Sequence, residues 1–272
     1  MIGRGGLDDR VTIDGWTTNE NESIKLYAPF SEKHNLSPHN GFFIDPTTSG
    51  SVITISEDYT EINSLGITGW SRPTFENAAI YSAGNNSIIR NNYIHDNDNS
   101  NDGVHLGIWS TGGNAAIYNN VIANVNIFTT YRAKCITTND PDTHIYNNTI
   151  YNNRTSKNSR ESGIELNGVH TFNNITNNIV YGFYDGNGYL LDDDGASFGI
   201  SNYNISSDST APGSNSHNNI TLAELDFYDT TTDAEDLHIG PDSVARNAGS
   251  STISQFLNFS ISDDIDGEKR SP

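Results

Sequence analysis

A hexapeptide with two aliphatic anchors around an asparagine pair recurs along the chain, and it restricts the fold more than any other feature. It reads Ile89-Arg90-Asn91-Asn92-Tyr93-Ile94, then Ile117-Tyr118-Asn119-Asn120-Val121-Ile122, then Ile145-Tyr146-Asn147-Asn148-Thr149-Ile150. Weaker copies are Ile175-Thr176-Asn177-Asn178-Ile179-Val180 and Ile200 to Ile205, and a degenerate one runs from Ile62 to Ile67. Successive starts lie 27, 28, 28, 30 and 25 residues apart, a near-constant period that signals a repeat architecture.

Positions i and i+5 of a flat strand face opposite ways, so both anchors reach one core only if the chain turns a corner between them. The Asn pair sits at that corner. Asn tolerates the left-handed backbone region better than other non-glycine residues and hydrogen-bonds its neighbours, which suits a sharp bend between short strands. Stacked copies then form an Asn ladder. Strand-length apolar groups alternate with Gly, Asn, Asp and Ser, without a long 3.6-residue stripe, so the units read as coils of a parallel β-solenoid.

The two-Asn corner, the strands Gly103-Val104-His105-Leu106 and Gly163-Ile164-Glu165-Leu166, and the coil length together resemble the right-handed parallel β-helix superfamily of pectate-lyase-like proteins. The resemblance covers roughly residues 50 to 210. Asp236-Leu237-His238-Ile239-Gly240-Pro241-Asp242-Ser243, Asn247-Ala248-Gly249 and Asp264-Ile265-Asp266-Gly267 with Arg270 and Pro272 resemble the closing segment of such chains. The opening, Gly6-Leu7-Asp8-Asp9 and Val11-Thr12-Ile13-Asp14-Gly15-Trp16, is similar to uncharacterised phage and environmental β-helix proteins. The resemblance implies an all-β, single-stranded right-handed β-helix of about 6 to 8 coils. Residues 1–50 are then an N-terminal cap with irregular coils, 51–210 the regular helix and 211–272 a C-terminal coil and cap, all in one elongated domain. Trp16 and Trp70 are expected inside the cap core.

Hydrophobic content of 34% is low for a globule and suits a narrow bore that needs few aliphatics per coil. A formal charge of −20 repels nucleic acid and anionic membranes, so neither is expected as a partner. Polyuronates are repelled too unless a cation bridges them. The single cysteine, Cys135, excludes an internal disulfide framework and is expected as a buried thiol. There is no run of eighteen apolar residues, and Met1 to Gly6 lacks an apolar signal core. The expected setting is extracellular or a virion surface, reached through a leader outside this chain or by release in a virus particle.

Chemistry on a solenoid comes from outward side chains on rungs about 4.8 Å apart. Superimposing the strands with Val104, Ala133 and Ile164 inward puts His105, Lys134 and Glu165 outward in one column. With Arg132 they form a candidate catalytic set of base, charge neutraliser and orienting carboxylate; a surface ion-pair ladder has the same pattern. Asn101-Asp102-Gly103 and Tyr131-Arg132-Ala133-Lys134 loosely resemble polygalacturonase elements, but the family's Asp-Asp and Gly-His-Gly elements between them are absent, as is the Arg-rich signature of pectate lyases. Trp109, Tyr118, Tyr146, Tyr131 and Tyr189, with Tyr151 and Tyr184 nearby, form a candidate sugar platform, or a cross-strand aromatic pairing. Asp96, Asp98 and Asp102, alternating with Ser100, and the run Asp192-Asp193-Asp194 are candidate Ca²⁺ ligands; no cofactor is otherwise required.

Three functional expectations stand side by side, the third being a β-helix binding domain that is part of a longer protein. One is a polysaccharide-active β-helix, lyase- or glycosidase-like, with a virus among its expected sources. Another is a non-catalytic phage virion or surface module of tailspike or decoration type that binds glycans, for which a homotrimer is the expected assembly.

Overall fold

Three parallel sheets wind around one apolar bore in the computed structural model, which describes residues 6–36, 41–70, 77–95, 105–125, 133–139, 142–152, 161–168, 173–183, 187–192, 197–231, 234–250 and 265–266. Sheet A stacks the strands Gly6–Leu7, Phe43–Ile44, Gly66–Ile67, Tyr93–His95, Val121–Ala123, Thr149–Tyr151, Ile179–Tyr181 and Ile205–Ser206. Sheet B stacks Val11–Ile13, Ile53–Ile55, Asn77–Ser82, His105–Ser110, Ala133–Thr138, Ser162–Leu166 and Tyr189–Leu191. Sheet C stacks Ile24–Tyr27, Thr60–Asn63, Ile88–Arg90, Ala116–Tyr118, His144–Tyr146 and Asn174–Thr176. The chain visits A, B and C in turn, so the expected parallel β-solenoid is the fold.

Each sheet contributes an aliphatic ladder to the bore. Ile44, Ile67, Ile94, Ile122, Ile150 and Val180 stack in sheet A, and Ile62, Ile89, Ile117, Ile145 and Ile175 in sheet C. All eleven are completely buried, each worth about 1.5–3 kcal/mol of removed apolar surface. The two anchors of each hexapeptide therefore share one core, because the chain turns between them. The first Asn of the pair makes the turn: Asn91, Asn119, Asn147 and Asn177 adopt φ between 52° and 60°, the left-handed region that other L residues avoid.

The second Asn points inward and builds a ladder. Asn92 donates its backbone N–H and its side-chain amide to Asn120 Oδ1, both at 3.0 Å, and Asn120 does the same to Asn148 Oδ1. Asn148 bonds Asn178 Oδ1 likewise, and Asn178 bonds Asn204 Oδ1 at 3.0 and 3.1 Å. The amides also cap the carbonyls of Ile62, Ile89, Ile117 and Ile145. Four corners carry the Asn pair between strands of sheets C and A. The regular stack thus amounts to about four turns, fewer than the 6 to 8 coils expected. Beyond it the corner degenerates to Ser64-Leu65 at one end, where the Leu65 N–H ends the ladder on Asn92 Oδ1 at 3.1 Å, and to Tyr203-Asn204 at the other. Ile200, the expected anchor of the last copy, lies exposed.

The C-terminal residues run back across the outer face of sheet A. That face is apolar: Phe43, Tyr93, Val121, Ala123 and Tyr151 pack with Leu36 and Leu237, flanked by Leu222, Phe227, Tyr181 and Ile265. A one-turn helix, Leu222–Leu225, starts on a capping box between Thr221 and Glu224, and an antiparallel pair, Phe227–Asp229 and Asp236–Ile239, follows it. Polar ties fasten the segment: Asn124 donates to Glu235, and the Asn177 amide pairs with Ser250 through bonds of 2.9 Å in both directions. His238 bridges Asp236 and Asp266, 2.8 Å from the latter, and Lys33 donates to the Asp266 carbonyl.

Hydrogen bonding to Asp266 outweighs partial burial and, with Asp236, raises the His238 pKa to about 9, while His238 holds the Asp266 carboxyl below its usual range. The imidazolium tie is therefore intact below pH 6.5 and fades as pH rises through about 9; the carboxylate side fades only in acid. Protease cleavage within residues 234–250 is expected to accelerate above pH 9, and His238→Ala is expected to show that faster cleavage already at neutral pH. Equal cleavage of both proteins at every pH would refute the tie.

Candidate functional site

Outward side chains of sheet B bring together three of the expected site residues, Trp109, Lys134 and Glu165. Hydrogen bonding aligns Ile53, Ile80, Ile108, Ile136, Ile164 and Tyr189 along the bore. The next residue of each strand faces outward, giving the row Thr54, Tyr81, Trp109, Thr137, Glu165 and Leu190. A second row runs Ala78, Leu106, Lys134 and Ser162.

This register departs from the one read from the sequence. His105 pairs with Ala133, not with Lys134, and Ile164 pairs with Ile136, not with Ala133. Between the paired positions the strands pass Gly107, Cys135 and Gly163 without pairing, and there the backbones approach closely. A Cβ on Gly107 would lie 2.4 Å from the Cys135 carbonyl oxygen. The neighbours Cys135 and Ile136 both lie in the core, with Ala133 two residues earlier, so simple alternation fails across the kink. Cys135 is fully buried, and desolvation pushes its thiol pKa well up, in keeping with a structural thiol.

Lys134 and Glu165 nevertheless meet. Lys134 Nζ donates to Glu165 Oε1 across adjacent rungs, and Ser162 Oγ donates to Glu165 Oε2 at 2.6 Å. Both members of the pair are buried, Lys134 at 8% and Glu165 at 1% relative exposure. The carboxylate thus spends an oxygen on each neighbour. His105 is buried one position away in register and belongs to the row of Asn77 and Ala133.

Two of the partly exposed members of the rows are aromatic. Tyr81 and Trp109 stand on adjacent rungs, ring centroids 4.7 Å apart and tilted by 41°, both partly exposed. Trp109 Nε1 donates to Asn139 Oδ1 at 3.2 Å, and Asn167 donates to Thr137 Oγ1 at 3.0 Å. Polar amides and hydroxyls therefore flank the rings. Tyr81 is not among the aromatics singled out in the sequence, although it stands one repeat before Trp109; that spacing is the signal that could have found it.

Other candidate aromatics lie elsewhere. Tyr118 and Tyr146 stack on sheet C as neighbouring partners, but they form a buried cluster with Ala116, not an exposed row. Arg90 lies 6.0 Å over Tyr118 and donates to Glu61 at 2.7 Å, with Lys25 3.0 Å from the same carboxylate. Burial would raise the Glu61 pKa, and these two cations reverse it to a lowered value. Tyr189 replaces an isoleucine inside the bore, where its hydroxyl donates to the carbonyls of Asn178 and Ile205. Tyr151 packs under the C-terminal segment against Phe227 and Tyr181.

Asp192 is exposed at the end of its strand. Arg132, Tyr131, Tyr184, Asp96, Asp98, Asp102, Asp193 and Asp194 lie outside the described residues. Among the described residues no group of three or more His, Cys, Asp or Glu side chains could hold a metal ion, and no helix is long and apolar enough to cross a membrane. No family model, curated protein or solved structure matches the chain.

Proposed function

We propose that this protein holds a polysaccharide along the outer face of sheet B, in the manner of the pectate-lyase-like β-helices its sequence resembles, as an extracellular or virion-borne protein. The pair of Tyr81 and Trp109, rigidly spaced by the ladder and flanked by the side-chain amides of Asn139 and Asn167, carries this reading. Aromatic faces bind the apolar faces of sugar rings while neighbouring amides take the hydroxyls. Binding is the primary role because Lys134 and Glu165 neutralise each other under cover, an arrangement that suppresses acid–base exchange with a ligand.

A catalytic variant of the same reading rests on the Lys134, Glu165 and Ser162 cluster, lyase- or glycosidase-like, with the ligand displacing one partner of the carboxylate. Purified protein screened against neutral, acidic and amino polysaccharides tests both. Trp109→Ala is expected to weaken binding about ten-fold, and Tyr81→Ala to do the same. Unchanged affinity in both variants would exclude sheet B as the binding face. Product formation abolished by Glu165→Gln, with binding retained, would establish the catalytic variant.

A further inference from the structure

Trp16 breaks the burial pattern of the chain. The sequence places it in a cap core with Trp70, and Trp70 is indeed fully buried. Trp16 is instead 69% exposed, on the loop that leads from sheet B to sheet C in the first rung. The loop presenting it is held in place. Gly15 takes φ of 85°, the Trp16 N–H donates to Glu57 Oε1 at 2.9 Å, and Asn19 pairs with Glu22 through backbone and side chain.

Trp16, Thr17 and Thr18 face Ser56, Glu57 and Asp58 of the next rung across an open cleft of about 350 Å³. The cleft is open to solvent, a surface groove in which one sugar ring can rest against the indole. The carboxylates are half engaged. Glu57 Oε1 accepts from Trp16, and Asp58 Oδ1 accepts from the backbone N–H and side-chain amide of Asn85 at 2.7 and 3.0 Å. Among the described residues Glu57 Oε2 and Asp58 Oδ2 accept no hydrogen bond. The cleft therefore offers an indole face, two hydroxyl-bearing threonines and two carboxylate oxygens with acceptor capacity, and no cation among its lining residues.

We infer that this cleft is a second binding site, separate from sheet B, selective for a cationic sugar such as a glucosaminium unit of an amino polysaccharide. An indole face attracts a cation through its quadrupole, the two carboxylates supply charge-assisted acceptors, and the chain's charge of −20 draws cationic polymers and repels uronates. Neither a uronate nor a phosphate satisfies these groups.

The test is a titration of the full chain with fully deacetylated chitotetraose at mildly acidic pH, read by tryptophan fluorescence, beside its N-acetylated counterpart. Trp16 emission is expected to quench, with about ten-fold or greater preference for the charged oligomer and weakening as salt rises. Trp16→Ala should abolish the quench, and Glu57→Gln, which keeps an acceptor for the Trp16 N–H, should weaken binding about ten-fold. Both positions lie at the surface, and unchanged melting of the two variants checks that the fold persists. Equal affinity for the acetylated oligomer, or a quench that survives Trp16→Ala, would overturn the site. Trp109→Ala should leave this titration unaltered, which separates the failure of one site from the failure of the other.

Discussion

Replacing Asn148 with Ala is expected to cost the fold about 3–5 kcal/mol, more than any exposed substitution on the solenoid. Its side chain is fully buried, accepts the backbone N–H and amide of Asn120, and donates to Asn178 Oδ1 and the Ile117 carbonyl. Alanine strands the Asn120 N–H, the Ile117 carbonyl and part of the Asn178 carbonyl in a dry bore. Each orphaned group costs about 1–3 kcal/mol. Against a typical total of about 5–15 kcal/mol, the loss is plain in chemical denaturation as a lower midpoint. Asn148→Asp should be worse at neutral pH, because a carboxylate has no hydrogen to donate and places charge in the ladder. Partial recovery in acid, where the carboxyl regains a donor, is the mark of this mechanism.

Asn147 is the control. Its φ of 52° is one that glycine adopts freely, so Asn147→Gly should change stability by only a few tenths of a kcal/mol, whereas Asn147→Val should lose about 1–2 kcal/mol. If Asn148→Ala proves no more damaging than Asn147→Gly, the ladder is ornamental and the aliphatic stacks alone hold the coils.

Acid should remove about 3 kcal/mol through one residue, His34. Its Nε2 lies 2.7 Å from the Asn91 carbonyl, and it packs beside Tyr93 under the residues that cross sheet A. Burial lowers its pKa from 6.5 to about 4, against the hydrogen bond to Asn91, with Lys33 and His95 adding to the fall and Asp266 opposing it. The native ring is therefore neutral where the unfolded chain takes up a proton. The associated stability is complete above pH 6.5 and declines as pH falls toward 4; a shift of this size corresponds to about 3 kcal/mol. His34→Gln retains a donor for Asn91 and has nothing to titrate. Its unfolding free energy should lose that slope between pH 6.5 and 4, while the loss tied to Asp266, whose pKa is already below its usual value, lies further into acid. Identical slopes for the parent and His34→Gln would disprove a neutral, buried His34.

Much of the winding was legible in the residues. The period announced the coil, and paired isoleucines at odd separation demanded a corner. Asn91, Asn119, Asn147 and Asn177 supplied the left-handed residue that makes it. Each of these is a local requirement, met within six residues, and local requirements leave marks in composition and spacing. The rows on sheet B were less legible. Gly107, Cys135 and Gly163 look like ordinary strand residues, yet they are passed over in pairing, and the inward–outward alternation before them is the reverse of that after them. Lys134 and Glu165 still met because a long lysine spans the displacement, whereas His105 fell out of their company. Tyr189 read as a surface aromatic because nothing in its own neighbours shows that it follows Ile164 on the bore side.

The amino-acid order by itself determined the wound, piled architecture, since aliphatic anchors and αL asparagines act within a single coil. Tertiary structure alone decided what lies on the outside: which rows the side chains join, that the tail shelters the aromatic face of sheet A, and that Trp16 stands open above Glu57 and Asp58. Inward positions repeat because every rung meets the same bore. Outward ones meet whatever distant segment arrives there, and no periodic constraint records it in the sequence.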